Sequence, residues 1–179
     1  MLNAENTVLV IIDIQTKLWN VMFEKEALLD GALKLVKGVQ ILGIPIVLTE
    51  QNPRGLGPTA TELTQIMTTV QPIPKMCFSC TQDSGFRQAL ERAKRNQVLI
   101  CGIEAHICVY QTALDLIESG YEVQVVADAV SSRSPRNRDI ALTRLQGEGV
   151  KLTTTEMVLF ELLKTAESLN FKEIQRIIK

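Results

Sequence analysis

Two periodicities alternate along this chain from one end to the other, and that alternation most restricts what it can fold into. Short apolar, β-branched runs predict strands over 7–13, 45–49, 71–75, 98–101, 122–127 and 151–154. Apolar residues at helical spacing predict helices over 24–42, 59–69, 84–95, 135–147, 157–166 and 171–178, with one more running from Cys108 to a stop at Gly120. Strand followed by helix, repeated, demands right-handed crossovers. The expected fold is therefore α/β: a three-layer α/β/α Rossmann-like domain with a parallel sheet of about six strands and helices on both faces. No repeat, low-complexity stretch or linker interrupts the pattern, so 1–179 reads as a single domain. The irregular segment 50–58 follows a strand and should overhang the carboxyl edge of the sheet, where such proteins place ligands.

Composition removes several classes of function. Net charge is −1 with no cluster of Lys or Arg, and aromatic residues make up 4% of the chain, so neither a nucleic-acid partner nor an anionic membrane is expected. The first apolar run is broken by Asp13, too early for a signal peptide or a membrane span. Four cysteines among 179 residues are too sparse for a secreted disulfide scaffold, which points to a reducing cytoplasm. The loop after the first strand, Asp13-Ile14-Gln15-Thr16-Lys17, contains no glycine. It cannot cradle a pyrophosphate, and nucleotide binding is excluded.

Three residues stand out at strand ends. Asp13 closes the first strand, where an ionised carboxylate is costly unless something uses it; a turn or helix-capping role is the plain alternative. Lys75 follows Pro-Ile-Pro and precedes the largely apolar Met76-Cys77-Phe78. Cys108 lies where the fourth strand gives way to a helix, whose free amides and dipole should favour thiolate over thiol. A carboxylate to take a thiol proton, an ammonium to hold both groups in register and a sulfur to attack carbon form a coherent nucleophilic set.

The segments Ile-Ile-Asp-Ile-Gln around Asp13, Pro-Lys-Met-Cys-Phe-Ser around Lys75 and Gly-Ile-Glu-Ala-His-Ile-Cys-Val around Cys108 resemble the isochorismatase-like cysteine hydrolases. Thr49-Glu50-Gln51, Gly55-Leu56-Gly57-Pro58-Thr59 and Thr112-Ala113-x-Asp115-Leu116 extend the likeness, toward the isochorismatase domain-containing branch. The resemblance implies a triad of Asp13, Lys75 and Cys108. It also implies an oxyanion hole from the backbone amides of Glu104 and Cys108, and a cis peptide at Ile103–Glu104. The implied reaction is hydrolysis of a small amide or related carbonyl compound through a thioester, in a homo-oligomer. Gln15, Leu18, Gln51, Phe78 and Ile103 are the pocket candidates.

Relatives that cleave nicotinamide bind a metal through Asp and His residues. This chain has one histidine, His106, and Gln51-Asn52 where such a cluster would stand, so no metal and no cofactor is expected. Cys77 and Cys80 form a C-x-x-C without a second pair, which suits packing better than zinc, with a redox role as the lesser reading. His106 is read as a rim residue, Trp19 as pocket lining or core, and the Glu104 side chain as facing the pocket mouth. The competing function is a non-catalytic or redox-sensitive member that binds a metabolite or serves as a scaffold.

Overall fold

The computed structural model describes the whole chain, Met1–Lys179. Six strands, β1 (Thr7–Ile12), β2 (Ile46–Gln51), β3 (Ile73–Lys75), β4 (Gln97–Ile103), β5 (Glu122–Ser131) and β6 (Lys151–Thr153), form one parallel sheet in the order β3-β2-β1-β4-β5-β6. The chain winds outward from β1 to β3, returns to lay β4 beside β1, and winds outward again to β6. At the β1–β4 seam the crossovers leave in opposite directions, which opens a crevice at the carboxyl ends of the strands.

Strand residues alternate between two cores because successive side chains point to opposite faces. Leu9, Ile11, Leu48 and Leu99 face α2 (Lys25–Ile41), α4 (Thr61–Ile66) and α8 (Thr155–Leu163). Val8, Val10, Val47, Val98 and Ile100 face α5 (Ser84–Ala93), α6 (Tyr110–Glu118) and α7 (Pro135–Gly147). Two four-residue helices, α1 (Thr16–Trp19) and α3 (Pro53–Leu56), overhang the carboxyl edge, and α9 (Phe171–Ile178) packs Ile174 against α8. No helix is long and apolar enough to cross a membrane.

Several elements depart from the sequence reading. The predicted helix over 59–69 contracts to α4, because Thr59 is committed to Glu50 through both its amide and its hydroxyl, each at 2.7 Å. α5 opens on Asp83 as its cap, whose side chain accepts from the Phe86 amide at 3.0 Å. β5 runs four residues past its predicted end by way of a bulge, where its register against β4 jumps between Ile100 and Gly102. Arg138 of α7 satisfies the bulge, donating to the carbonyls of Ala127 at 2.9 Å and Val130 at 3.2 Å. Gly102, with φ of +130°, sits opposite Ile12 on the seam. A Cβ there would collide with the Ile12 backbone.

Candidate active site

Three strand ends deliver the candidate residues to one point. Asp13 follows β1 with φ of +54°, a left-handed conformation that Asp tolerates better than most residues and that turns the carboxylate back over the sheet edge. Lys75 is the last residue of β3, and Cys108 lies in a single π-type turn, Ala105–Val109, between β4 and α6. Such turns widen a helix by one residue and frequently mark functional sites.

Asp13 and Lys75 are fully buried, and the Lys75 Nζ lies 2.7 Å from Asp13 Oδ2. The Thr49 hydroxyl donates to the other carboxylate oxygen at 2.7 Å. Lys75 also donates to Gln51 Oε1 at 2.7 Å, to the Cys77 carbonyl at 3.1 Å, to the Phe78 carbonyl at 3.4 Å and to Cys108 Sγ at 3.8 Å. Burial works against the ammonium, but Asp13 and the two nearby sulfurs, Cys80 and Cys108, outweigh it and hold the Lys75 pKa above its ordinary value. Lys75 is thus a permanent cation inside the crevice.

The thiol behaves differently from the sequence expectation. Burial above all, then the charge of Asp13, pushes the Cys108 thiol up to about 12, and Lys75 only partly opposes them. A helix-start dipole does not make it a thiolate, because the residue is 6% exposed and belongs to the π-type turn ahead of α6. At rest the sulfur carries its proton, with a carboxylate beside it able to accept that proton.

The pocket candidates divide. Gln51 binds Lys75 directly, and its Nε2 donates to the Met76 carbonyl at 2.9 Å. Gln15 is buried and spends its amide on the overhanging loop, donating to the Gln51 and Gly57 carbonyls and accepting from the Gln51 amide at 2.7 Å. Ile103 and Leu18 pack with Met22 and Leu28 in a small apolar cluster, which Trp19 also joins. Phe78 is 55% exposed beside the site.

The Glu104 side chain, expected to face the pocket mouth, is paired with Arg133. Its carboxylate accepts from the Arg133 amide at 2.9 Å and from Arg133 Nε at 3.2 Å. The peptide bond before it, Ile103–Glu104, is cis. His106 is tied to buried Ser132 through Nδ1 at 2.9 Å, with Asn137 Nδ2 at 3.4 Å from Nε2. Cys77 and Cys80 are both free thiols, Cys80 buried and 3.9 Å from the Thr49 hydroxyl.

Sequence reasoning missed Thr49 as a partner of Asp13. The alternation of side chains along β2 was its only signal, since Thr49 and Gln51 share the face that Glu50 lacks.

The isochorismatase domain model matches residues 7–157. Isochorismatase domain-containing protein 2 of Danio rerio is 43% identical over 177 residues, covering 99% of this chain and 89% of the relative. The Homo sapiens protein of the same name is 39% identical, covering 97% and 83%. The structure of MAR1 ribonuclease from Caenorhabditis elegans superposes with a TM-score of 0.91 at 36% identity, covering 99% of this chain and 91% of that one. The YcaC gene product of Escherichia coli, an octameric hydrolase of unknown specificity, gives a TM-score of 0.89 at 22% identity, covering 99% and 94%, a likeness of fold. With a family model over residues 7–157 and relatives at 43% and 39% identity across nearly the whole chain, the chain belongs to the isochorismatase family of hydrolases.

Proposed function

We propose that this protein hydrolyses a small amide or related carbonyl metabolite through a covalent thioester, with Cys108 as nucleophile, Asp13 as base and then acid, and Lys75 as the group that orients both. The observation that carries the reading is the buried Lys75 ammonium, 2.7 Å from Asp13 and 3.8 Å from Cys108. Side chains from three strand ends have no packing reason to bury two charges and a thiol together.

The chemistry follows from the protonation states. Because burial keeps the Cys108 proton on sulfur, attack requires its transfer to Asp13 as the S–C bond forms. Lys75 offsets the negative charge that moves from carboxylate to sulfur. The carbonyl oxygen becomes an oxyanion stabilised by the backbone amides of Glu104 and Cys108, a contribution of about 3–4 kcal/mol per donor in such sites. Collapse breaks the C–N bond, and Asp13 returns its proton to the departing amine. Water then attacks the thioester, losing a proton to Asp13; the acid leaves and the thiol recovers its proton. Every proton taken is returned, so no metal, cofactor or redox partner is needed.

The reading takes 1–179 as one functional domain acting on a small molecule, without nucleic acid or membrane, in a reducing cytoplasm that leaves all four cysteines free. It includes a homo-oligomer, supported by Met76, Phe78 and Met157, which are 71%, 55% and 59% exposed. Screening small amides for ammonia release beside single-stranded RNA cleavage, each with a Cys108→Ala control, tests the proposal. Amide turnover lost in the variant supports it. RNA cleavage that survives in Cys108→Ala would replace it with the activity named for the nematode relative.

A further inference from the structure

The Thr112-Ala113-x-Asp115 motif serves none of the chemistry above, yet it grips the segment on which that chemistry depends. Residues 77–82 follow Lys75, and two carbonyls of this segment, Cys77 and Phe78, accept from the Lys75 ammonium. The same segment is fastened to α6 at two points. The Thr112 hydroxyl accepts from the Cys80 amide at 2.9 Å. Asp115 Oδ2 accepts from the Ser79 hydroxyl at 2.7 Å, the Thr81 hydroxyl at 2.7 Å and Gln82 Nε2 at 3.3 Å. Thr112 and Asp115 are three residues apart and so share one face of the helix. Partial burial pushes the Asp115 carboxyl up, but its three donors outweigh that and hold it below the usual carboxylate range, so it stays ionised.

The start of α6, two residues before Thr112, continues directly from the π-type turn that holds Cys108. One continuous turn and helix thus carries Cys108 and, through Thr112 and Asp115, the carbonyl cradle of the ammonium. We infer that Thr112 and Asp115 are positioning residues that set the separation of Lys75 from Cys108, acting through the 77–82 segment and touching neither substrate nor thiol. A purely structural role would stabilise the fold without changing the reactivity of the sulfur. A positioning role predicts that loosening the grip lets the ammonium drift away from the sulfur, which makes the thiol harder to ionise.

The inference rests on the Asp13–Lys75–Cys108 reading, and alkylation by iodoacetamide tests it without any substrate. The rate of carboxamidomethylation at Cys108 is followed by peptide mass spectrometry at one fixed alkaline pH, in samples whose circular dichroism matches the wild type. Lys75→Met should slow it. Asp115→Ala should slow it about tenfold or somewhat less, within the range that coupled residues outside a site produce. Asp115→Asn, which keeps one acceptor, should fall between. In the Lys75→Met background, Asp115→Ala should add no further slowing, because Asp115 acts through Lys75. If Asp115→Ala does not fold, Ser79→Ala with Thr81→Val removes the two shorter of its three hydrogen bonds from the other side. Faster labelling of Cys108 in the Asp115 variants, or equal slowing with and without Lys75, would overturn the positioning role alone. An unchanged rate in Lys75→Met would overturn the triad reading and this inference with it.

Discussion

Cys101 and Cys108 belong to the two cores on opposite faces of the sheet and make an instructive pair. Both are buried free thiols, and both are pushed up to about 12, first by burial and then by a carboxylate, Asp128 for Cys101 and Asp13 for Cys108. Cys101 sits in the middle of β4 among Leu9, Ile11 and the helices of one core, with no cation beside it. Cys108 has Lys75 at 3.8 Å, and Lys75 is itself clamped to Asp13. Burial and thiol acidity do not tell the two apart. What separates them is a fixed cation: Lys75 holds Asp13 in place beside Cys108 and leaves a positive charge there when a proton departs, and no cause that lowers the pKa acts on Cys101.

The largest expected effect breaks this comparison outright. Cys108→Ala should lower turnover by about a thousandfold or more, while Cys101→Ala keeps turnover and loses only about 1–2 kcal/mol of stability. Steady-state rates and chemical denaturation of the two variants measure this, and equal loss of turnover in both would erase the distinction. Next comes the charged pair. Asp13→Asn and Lys75→Met should each remove most of the rate and combine non-additively, since both serve one proton transfer. Lys75→Met also strands the Asp13 carboxylate in the interior, so it should cost about 3–5 kcal/mol in thermal unfolding. An unchanged melting temperature would mean that water reaches Asp13.

A smaller effect concerns alkaline pH. Cys80, Cys101 and Cys108 are all raised from 9.0 to about 12, so the folded chain holds their protons more tightly than the unfolded one. Their contribution to stability is complete below about pH 9 and is lost as pH climbs toward 12. Denaturation midpoints across that window should fall, and Cys101→Ala should flatten the slope. A flat wild-type profile would contradict the raised values. The smallest effect is the order of labelling. Cys77 is half-buried while the other three are buried, so iodoacetamide at neutral pH should reach Cys77 first. Labelling of Cys108 ahead of Cys77 would restore the preformed thiolate that the sequence suggested.

The sheet was legible because buried parallel strands need continuous apolar runs, and those at 7–12 and 97–103 have no other plausible use. The positions of Asp13, Lys75 and Cys108 at strand ends were legible for the same reason. Their convergence was not, since it depends on the strand order. Motif resemblance suggested it, and the adjacent carboxyl ends of β3, β2, β1 and β4 provide it. The π-type turn at Ala105–Val109 was hidden because one extra residue leaves the helical pattern after Cys108 unchanged. α1 and α3 are too short to generate a period. The Glu104–Arg133 contact joins residues 29 apart, and no local pattern announces it.

Gly102 governs how this site could be altered. Any side chain at that position would push against Ile12, one residue before Asp13. The seam therefore tolerates one amino acid there, and a library that randomises position 102 should return only the parent. Met76 and Phe78, 71% and 55% exposed around the Lys75 cradle, meet no such backbone barrier within the chain. Side chains there can change without disturbing the sheet, while the strand junction is effectively a fixed letter in the text of the protein.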